Sequence, residues 1–165
     1  MFERYTEKAR RAIFFARYEA SNYGSIRIET EHLLLGVLRE DQALARYCLG
    51  RVGAGEEIRT EIEKRIIRGE RISTSVEMPL SEECQKVLHL ATEESQRLGT
   101  GHVGTEHLLL GILRLHGSLA AQLLQARGVK PEPLPEELAK APALESPSRS
   151  WAKVRFSNSI VFLLD

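Results

Sequence analysis

The chain has 165 residues, of which 42% are hydrophobic and 28% charged, a composition typical of globular proteins. Lysine plus arginine balances aspartate plus glutamate, 23 of each, so no overall field favours nucleic acid or an anionic membrane, and neither is expected as a partner. No stretch approaches the roughly 20 apolar residues of a membrane span, and charges stand where a signal peptide needs an apolar run. We therefore expect a cytoplasmic protein.

One segment of ten residues occurs twice in the chain with a single difference. It is TEHLLLGVLR at residues 30–39 and TEHLLLGILR at residues 105–114, an offset of 75 residues. The same offset also aligns Thr6 with Ser81, Glu7 with Glu82, Ala16 with Ala91, Gly24 with Gly99, and Ile28 with Val103. This extended match indicates a tandem duplication.

Each copy begins with a predicted amphipathic helix, because small and apolar residues recur at helical spacing. These residues are Ala9, Ala12, Ile13, Ala16 and Ala20 in the first copy, and Cys84, Val87, Leu88 and Ala91 in the second. Thr6 and Ser81 stand at the expected N-caps, each followed by glutamate that suits the positive end of the helix dipole. Gly24 and Gly99 lie just past the expected helix ends.

The repeated ten-residue segment predicts a second helix in each copy. Thr30 and Thr105 are interpreted as its N-caps, and the nearly continuous leucine run that follows predicts a helix buried on most sides. A third helix is predicted near residues 42–49 in the first copy and 118–125 in the second. Gly53 and Gly128 are expected to end these third helices.

A fourth helix is predicted near residues 56–67, with a shorter, proline-rich counterpart after Pro131. The predicted fold class is therefore all-α, with eight helices in two tandem four-helix repeats related by pseudo-twofold symmetry. The predicted domain covers 1–140, with repeats at 1–68 and 80–140, a linker at 69–79, and a proline- and serine-rich connector and apolar tail at 141–165.

The Glu-His pairs at 31–32 and 106–107 are the features of the chain that most resemble an enzyme site. A zinc protease helix needs His-Glu-x-x-His, but leucine stands at the positions of a second ligand, so no metal site is expected. Both histidines are expected to pack or form hydrogen bonds locally. No phosphate-binding P-loop or Gly-x-Ser-x-Gly elbow occurs. Cys48 and Cys84 are expected to be reduced core residues. Because no catalytic motif is present, we predict no enzyme and no cofactor.

Two interpretations of the hydroxyl and glutamate residues remain open. Thr6 and Ser81 could serve only as helix caps, and Glu31 and Glu106 only as partners of the helix dipole. Alternatively, a helix N-terminus can hold an anion while a nearby carboxylate holds a cation. A ligand with a phosphoryl group beside a guanidinium would match the second interpretation.

The sequence is similar to a known family. The segments FERYTEKARRAIFFARYEA, GSIRIETEHLLLGVLRED and PLSEECQKVLHLATEESQRLGTGHVGTEHLLLGILR resemble the Clp N-terminal (Clp repeat) domain, closest to the ClpC type of AAA+ unfoldase. The resemblance covers about residues 1–140 and implies eight helices in two repeats. It further implies binding of protein substrates or adaptor proteins for the Clp ATPase and protease subunits, and two sites for phosphorylated arginine.

Carried over to this chain, the resemblance implies Thr6 with Glu31 at one site and Ser81 with Glu106 at the other. The hydroxyl and the helix amides would take the phosphoryl group, and the carboxylate the guanidinium. Glu29 stands where the second repeat has Gly104, and its charge would repel a phosphate. The site containing Glu31 is therefore expected to be the weaker one.

Clp unfoldases carry ATPase modules after this domain, whereas this chain ends at Asp165 without one. It is expected to be either a stand-alone Clp-repeat protein or a fragment of a larger unfoldase. The leading hypothesis is a non-enzymatic module that recognises phosphoarginine-marked proteins. The alternative is a structural accessory protein that docks on a Clp chaperone or protease without binding phosphoarginine.

Overall fold

The computed structural model describes residues 2–51 and 53–131, and within them the protein is all-α. The seven helices are α1 (Glu7–Asn22), α2 (Thr30–Glu40), α3 (Gln42–Leu49), α4 (Ala54–Arg65), α5 (Glu82–Arg97), α6 (Thr105–Arg114) and α7 (Leu119–Ala126). The eighth predicted helix, after Pro131, and the 141–165 tail lie outside the described residues. The all-α prediction is confirmed.

The first helix of each repeat begins where the sequence predicts. Thr6 has extended backbone angles, and its side-chain oxygen accepts a hydrogen bond from the Ala9 amide at 3.1 Å. Ser81 does the same for the Cys84 amide, also at 3.1 Å. Gly24 and Gly99, with φ of 70° and 68°, follow these helices in the left-handed conformation that glycine adopts without strain.

Three predicted boundary residues are wrong. The N-caps of α2 and α6 are Glu29 and Gly104, one residue before the threonines, which are helical and buried. The third helix of the first repeat ends at Gly50, with φ of 69°, and Gly53 instead caps the start of α4. Gly104 and Thr105 have similar capping propensity, and Gly50 and Gly53 both suit a helix end. Glu29 is not a preferred N-cap residue, so local propensity favoured Thr30 instead.

The glycine inside each repeated segment allows two helices to cross closely. A Cβ atom at Gly36 would lie 2.1 Å from the Ala12 carbonyl oxygen, and one at Gly111 would lie 2.5 Å from that of Val87. Any side chain at these positions would force the α1/α2 or α5/α6 crossing apart. The leucines around the glycines fill a hydrophobic core that spans both repeats.

The two helices of each crossing run in opposite directions. In the first repeat the Arg11 guanidinium, near the start of α1, contacts Glu40 at the end of α2 at 2.7 Å. At the other end, the rings of Tyr23 and His32 stack with their centroids 6.0 Å apart. The start of α2 therefore lies beside the end of α1.

Short parallel backbone bridges join the two repeats. Tyr5 pairs with Val103, and Leu80 pairs with Ile28. At the 75-residue offset Tyr5 corresponds to Leu80, and Ile28 corresponds to Val103. The two bridges are therefore equivalent and show the pseudo-twofold relation of the repeats.

The predicted linker follows the surface of α1. The Gly69 amide donates to the Tyr23 carbonyl at 2.9 Å, and the Ile72 amide donates to the Ser21 carbonyl at 3.0 Å. Buried Arg17 donates to the Val76 carbonyl. These bonds hold the connection between the repeats against the first repeat.

Candidate functional site

The start of α1 lies beside the start of α6, in the other repeat. The Thr6 amide donates to the Val103 carbonyl at 2.9 Å, and the Val103 amide donates to the Arg4 carbonyl at 2.8 Å. Thr105 and Glu106 follow directly in the first turn of α6. We call Thr6 together with residues 104–106 the Thr6 site.

The start of α5 lies beside the start of α2 in the equivalent way. The Ser81 amide donates to the Ile28 carbonyl and the Ile28 amide to the Pro79 carbonyl, both at 2.9 Å. We call Ser81 together with residues 29–31 the Ser81 site. Each site therefore takes its hydroxyl from one repeat and its carboxylate from the other.

This arrangement corrects the predicted pairing of Thr6 with Glu31 and of Ser81 with Glu106. Because α1 and α2 run in opposite directions, Thr6 and Glu31 lie at opposite ends of α1, which with 16 residues is about 24 Å long. The structure instead brings the start of α1 to the start of α6, and the start of α5 to the start of α2. The prediction assumed that each repeat builds its own site.

Both hydroxyls keep a hydrogen to donate while capping their helices. In each cap the oxygen accepts from a helix amide, which leaves the hydroxyl hydrogen free to rotate toward an acceptor. The first amides of a helix lack intrahelical partners and attract anions. Thr6 is half-buried, whereas Ser81 is only 5% exposed, so the Thr6 hydroxyl is the more accessible of the two.

The Glu106 carboxylate occupies space that Gly104 leaves open. A Cβ atom at position 104 would lie 2.4 Å from Glu106 Oε2. The Glu106 side chain is 31% exposed, and Oε1 lies 3.4 Å from His107 Nδ1. Any larger residue at 104 would push this carboxylate away, and the first repeat has Glu29 at that position.

Glu31 in the Ser81 site lies in a more negative environment. Burial raises the pKa of its carboxyl group, and the nearby carboxylates of Glu29 and Glu83 raise it further. The Thr30 hydroxyl lies 3.5 Å from Glu31 Oε2 and offsets part of this effect. A cation bound here would relieve the repulsion among three carboxylates.

Thr105 in the Thr6 site has a partner that sequence reasoning missed. Its hydroxyl donates to Asp41 Oδ2 at 2.7 Å, while Asp41 Oδ1 accepts from the Leu44 amide and caps α3. In the second repeat the N-cap of the third helix is Ser118, whose hydroxyl accepts from the Ala121 amide. An aspartate directly before a predicted helix is the signal that could have identified Asp41 as a cap.

The histidines of the repeated segment have the local role that was predicted. The Glu29 amide donates to His32 Nδ1 at 3.0 Å, and the Gly104 amide donates to His107 Nδ1 at 2.8 Å. Burial lowers the pKa of His32 to about 4 and also lowers that of His107, so both rings are neutral near pH 7. They stabilise the starts of α2 and α6 by accepting a backbone hydrogen bond there.

The cysteines are free, as predicted, and unreactive in character. Cys84 is fully buried and Cys48 half-buried. Burial raises the pKa of Cys48 to about 12 and raises that of Cys84 as well, which suppresses the thiolate form that attacks electrophiles.

Comparison with known proteins agrees with this architecture. The sequence model of the Clp repeat (R) N-terminal domain matches residues 4–127 and, in an overlapping second match, residues 89–160. The chain belongs to this family. It is the N-terminal domain of Clp chaperones that is matched, and no ATPase module is evident in the chain.

The relatives are much longer than this chain. It is 39% identical over 130 residues to the negative regulator of genetic competence ClpC/MecB of Bacillus subtilis, covering 78% of this chain and 16% of that protein. It is 40% identical over 132 residues to the chloroplastic chaperone ClpC1 of rice, covering 79% of this chain and 14% of that protein. The chain thus spans about one sixth of these relatives or less.

A solved structure shares the fold over its full length. The N-terminal domain of the caseinolytic protease associated chaperone ClpD from Arabidopsis thaliana superposes with a TM-score of 0.68 and 28% identity. The match covers 85% of this chain and 98% of that one. The fold and the family are therefore shown together.

No single helix within residues 2–51 and 53–131 is long and apolar enough to cross a membrane. Helices α6 and α7 pass that test only when taken together, and they are bent by 96° relative to each other. Their leucines are buried in the core, except for Leu119, which is partly buried against it.

Proposed function

We propose that this Clp repeat domain binds substrate or adaptor proteins for the Clp chaperone and protease system, and recognises phosphorylated arginine at the Thr6 and Ser81 sites. The observation that carries the proposal is the meeting of the two repeats at each site. A helix start with a capping hydroxyl lies beside a second helix start with a first-turn glutamate.

The phosphoryl group of the ligand is assigned to the start of α1 or α5. The first-turn amides of these helices supply unpaired N–H donors, and the Thr6 or Ser81 hydroxyl adds another. The positive end of the helix dipole favours the same anion. No charged side chain is needed for this half of the recognition.

The guanidinium of the ligand is assigned to Glu106 or Glu31. A carboxylate can accept two parallel N–H bonds from a guanidinium, which makes the pair strong and directional. Because hydroxyl and carboxylate come from different repeats, the ligand would bridge the repeats at each site. The Thr6 site is the stronger one, since Gly104 adds no charge beside it whereas Glu29 adds one in the Ser81 site.

Calorimetric titration with free phosphoarginine tests the proposal. We expect saturable heat for the wild-type chain and none for a Glu31→Ala, Glu106→Ala double variant. Saturable heat of wild-type strength in the double variant would disprove the site assignment. Circular dichroism spectra would confirm that the variant remains helical.

A double-mutant cycle tests the pairing across the repeats. Thr6→Val and Glu106→Ala remove two contacts to one ligand, so their effects on the binding free energy should be non-additive. Thr6→Val and Glu31→Ala act on separate sites and should change binding independently. Coupling of Thr6 to Glu31 instead of Glu106 would contradict the pairing.

A structural accessory protein that docks on a Clp chaperone or protease ring is the alternative function. The buried Ser81 hydroxyl and the three carboxylates near it favour this alternative at the Ser81 site. Absence of saturable heat in the wild-type titration, together with binding to a Clp ring, would establish it.

A further inference from the structure

A groove on the first repeat lies between α2, α3 and α4, apart from the starts of α1 and α5. Its volume is about 490 Å³. Leucine and alanine side chains form its apolar floor: Leu35, Leu38, Ala45 and Leu49. Leu35 and Leu38 are buried, and the half-buried Ala45 and Leu49 form the accessible apolar part, which can receive aliphatic side chains.

Arginines surround this floor. Arg39, Arg46, Arg51 and Arg59 line the groove, against one acidic residue, Glu56. Arg59 is held by Glu19, with two N–O distances of 2.7 Å, and Arg51 is held by Glu57. Among the described residues, Arg39 and Arg46 form no ion pair, and both are exposed.

Arg39 and Arg46, the two arginines of the groove without an ion pair, differ in their surroundings. The Arg39 guanidinium stacks on the Phe15 ring, with its carbon 4.2 Å from the ring centroid, so its position is fixed while its edge can still donate hydrogen bonds. Arg46 projects from α3 near the same groove. Together they supply two cations that no carboxylate of the described chain neutralises.

The start of α4 borders the groove. Its N-cap is Gly53, which has no side chain to cap the first amides, and Gly53 and Gly55 both line the groove. A Cβ atom at either glycine would meet nothing within 4 Å. Glu56 and Glu57 lie in the first turn of α4 and offset the positive end of its dipole, so the unneutralised charge at the groove comes from Arg39 and Arg46.

We propose that this groove, which we call the arginine groove, binds a segment of a partner protein that carries leucine-like side chains flanked by glutamate or aspartate. The apolar floor accounts for the aliphatic side chains, which a small inorganic anion would not use. Arg39 and Arg46 account for the acidic flanks. The chain as a whole has no net charge, so the attraction is local to this surface.

The proposal does not rest on phosphoarginine recognition. The arginine groove uses the second half of α2 with α3 and α4, whereas the Thr6 and Ser81 sites use the starts of α1, α2, α5 and α6. The two surfaces approach each other at Asp41, which accepts from Thr105 and directly precedes the groove residue Gln42. A partner could therefore occupy both at once.

Fluorescence anisotropy of the full chain with a labelled peptide tests the groove. The probe is a short fluorescein-labelled peptide in which leucine pairs alternate with glutamate pairs. We expect saturable binding that weakens as salt is added, and a loss of about tenfold or more in Arg46→Glu, which places a carboxylate against the acidic flank. The same peptide with lysine in place of glutamate should not bind.

Lys86→Glu is the matched control, because it makes the same charge change at an exposed position of α5 in the second repeat. It should change the affinity by less than about twofold. Equal weakening by Lys86→Glu and Arg46→Glu, or equal binding of the lysine peptide, would overturn the proposal. So would self-association of the chain that Arg46→Glu abolishes, since the occupant would then be a second copy.

Discussion

The Thr6 site and the Ser81 site are built on the same scaffold and differ in charge. At the Thr6 site, Gly104 leaves room for the Glu106 carboxylate to fold over the backbone. At the Ser81 site, Glu29 takes the place of that glycine, and Glu31 is crowded by Glu29 and Glu83. The comparison shows that a duplicated backbone can be kept while substitutions at the cap and in the neighbouring helix change the charge around the glutamate.

Anchoring is the second difference between the two sites. Thr105 donates to Asp41 in the Thr6 site, whereas the equivalent Thr30 only contacts its neighbour Glu31 at 3.5 Å. The start of α6 is thereby tied to the start of α3. We expect the Thr6 site to be the more rigid and the more selective for an anion beside a guanidinium.

Gly104→Glu should produce the largest effect, since it gives the Thr6 site the residue that the Ser81 site has. The new side chain would displace the Glu106 carboxylate and add a negative charge beside the proposed phosphoryl position. We expect phosphoarginine affinity at this site to fall at least about tenfold, as measured by titration calorimetry in a Glu31→Ala background. The backbone φ of −99° at position 104 accommodates glutamate without strain.

Glu29→Gly is the reciprocal change and serves as its control. It should raise phosphoarginine affinity at the Ser81 site when measured in a Glu106→Ala background. An unchanged affinity in both variants would show that the residue before the threonine does not determine the difference between the sites.

Thr105→Val should have the next largest effect, on stability. It removes a hydroxyl that donates to the Asp41 carboxylate at 2.7 Å, and hydrogen bonds to charged groups contribute about 1.5–3 kcal/mol. Urea denaturation should therefore show a loss of this size. Thr30→Val, the matched change in the other site, should cost less than about 1 kcal/mol. Equal losses would contradict the proposed difference in anchoring.

Glu31→Gln should have the smallest effect, and it should stabilise the fold. Folding raises the pKa of this carboxyl above its ordinary value of 4.5, so its ionised form opposes folding at neutral pH. We expect a small gain in the free energy of unfolding at pH 7, measured by urea denaturation. The gain should disappear as the pH falls through the raised pKa, because Glu31 is then neutral itself.

Glu29→Gln provides the control for that prediction. Glu29 is one of the two carboxylates that raise the pKa of Glu31, so the gain from Glu31→Gln should shrink in a Glu29→Gln background. A gain that stays constant between pH 7 and pH 4 would exclude the electrostatic explanation. The same Glu31→Gln substitution should weaken guanidinium binding, a trade of stability against function expected at a binding site.

The local features of the fold could be predicted from sequence because short-range rules determine them. Thr6 and Ser81 were identified as caps by a hydroxyl followed by glutamate, and the duplication gave each assignment an independent repeat. Gly36 and Gly111 are also visible in the sequence, as a glycine that occurs in both copies of a helical leucine run. The reason for each glycine is the helix that crosses closely at it, and no local rule identifies that helix.

The pairing within each site could not be predicted from local pattern. It depends on the backbone bridges from Tyr5 to Val103 and from Ile28 to Leu80, which join residues far apart in sequence. Periodicity and capping rules describe single helices, and the resemblance was carried over as if the hydroxyl and the glutamate of one repeat formed one site. The opposite direction of α1 and α2 makes that assignment geometrically impossible.

The reciprocal bridges also have a consequence for how such a domain could arise. An isolated repeat would hold one hydroxyl and one glutamate at the two ends of its helix pair, and could complete neither site alone. Two identical copies related by a twofold axis would place the hydroxyl of each copy beside the glutamate of the other and form two identical sites. The present chain has the geometry of such a symmetric dimer fused into one polypeptide, and fusion freed position 29 to differ from position 104.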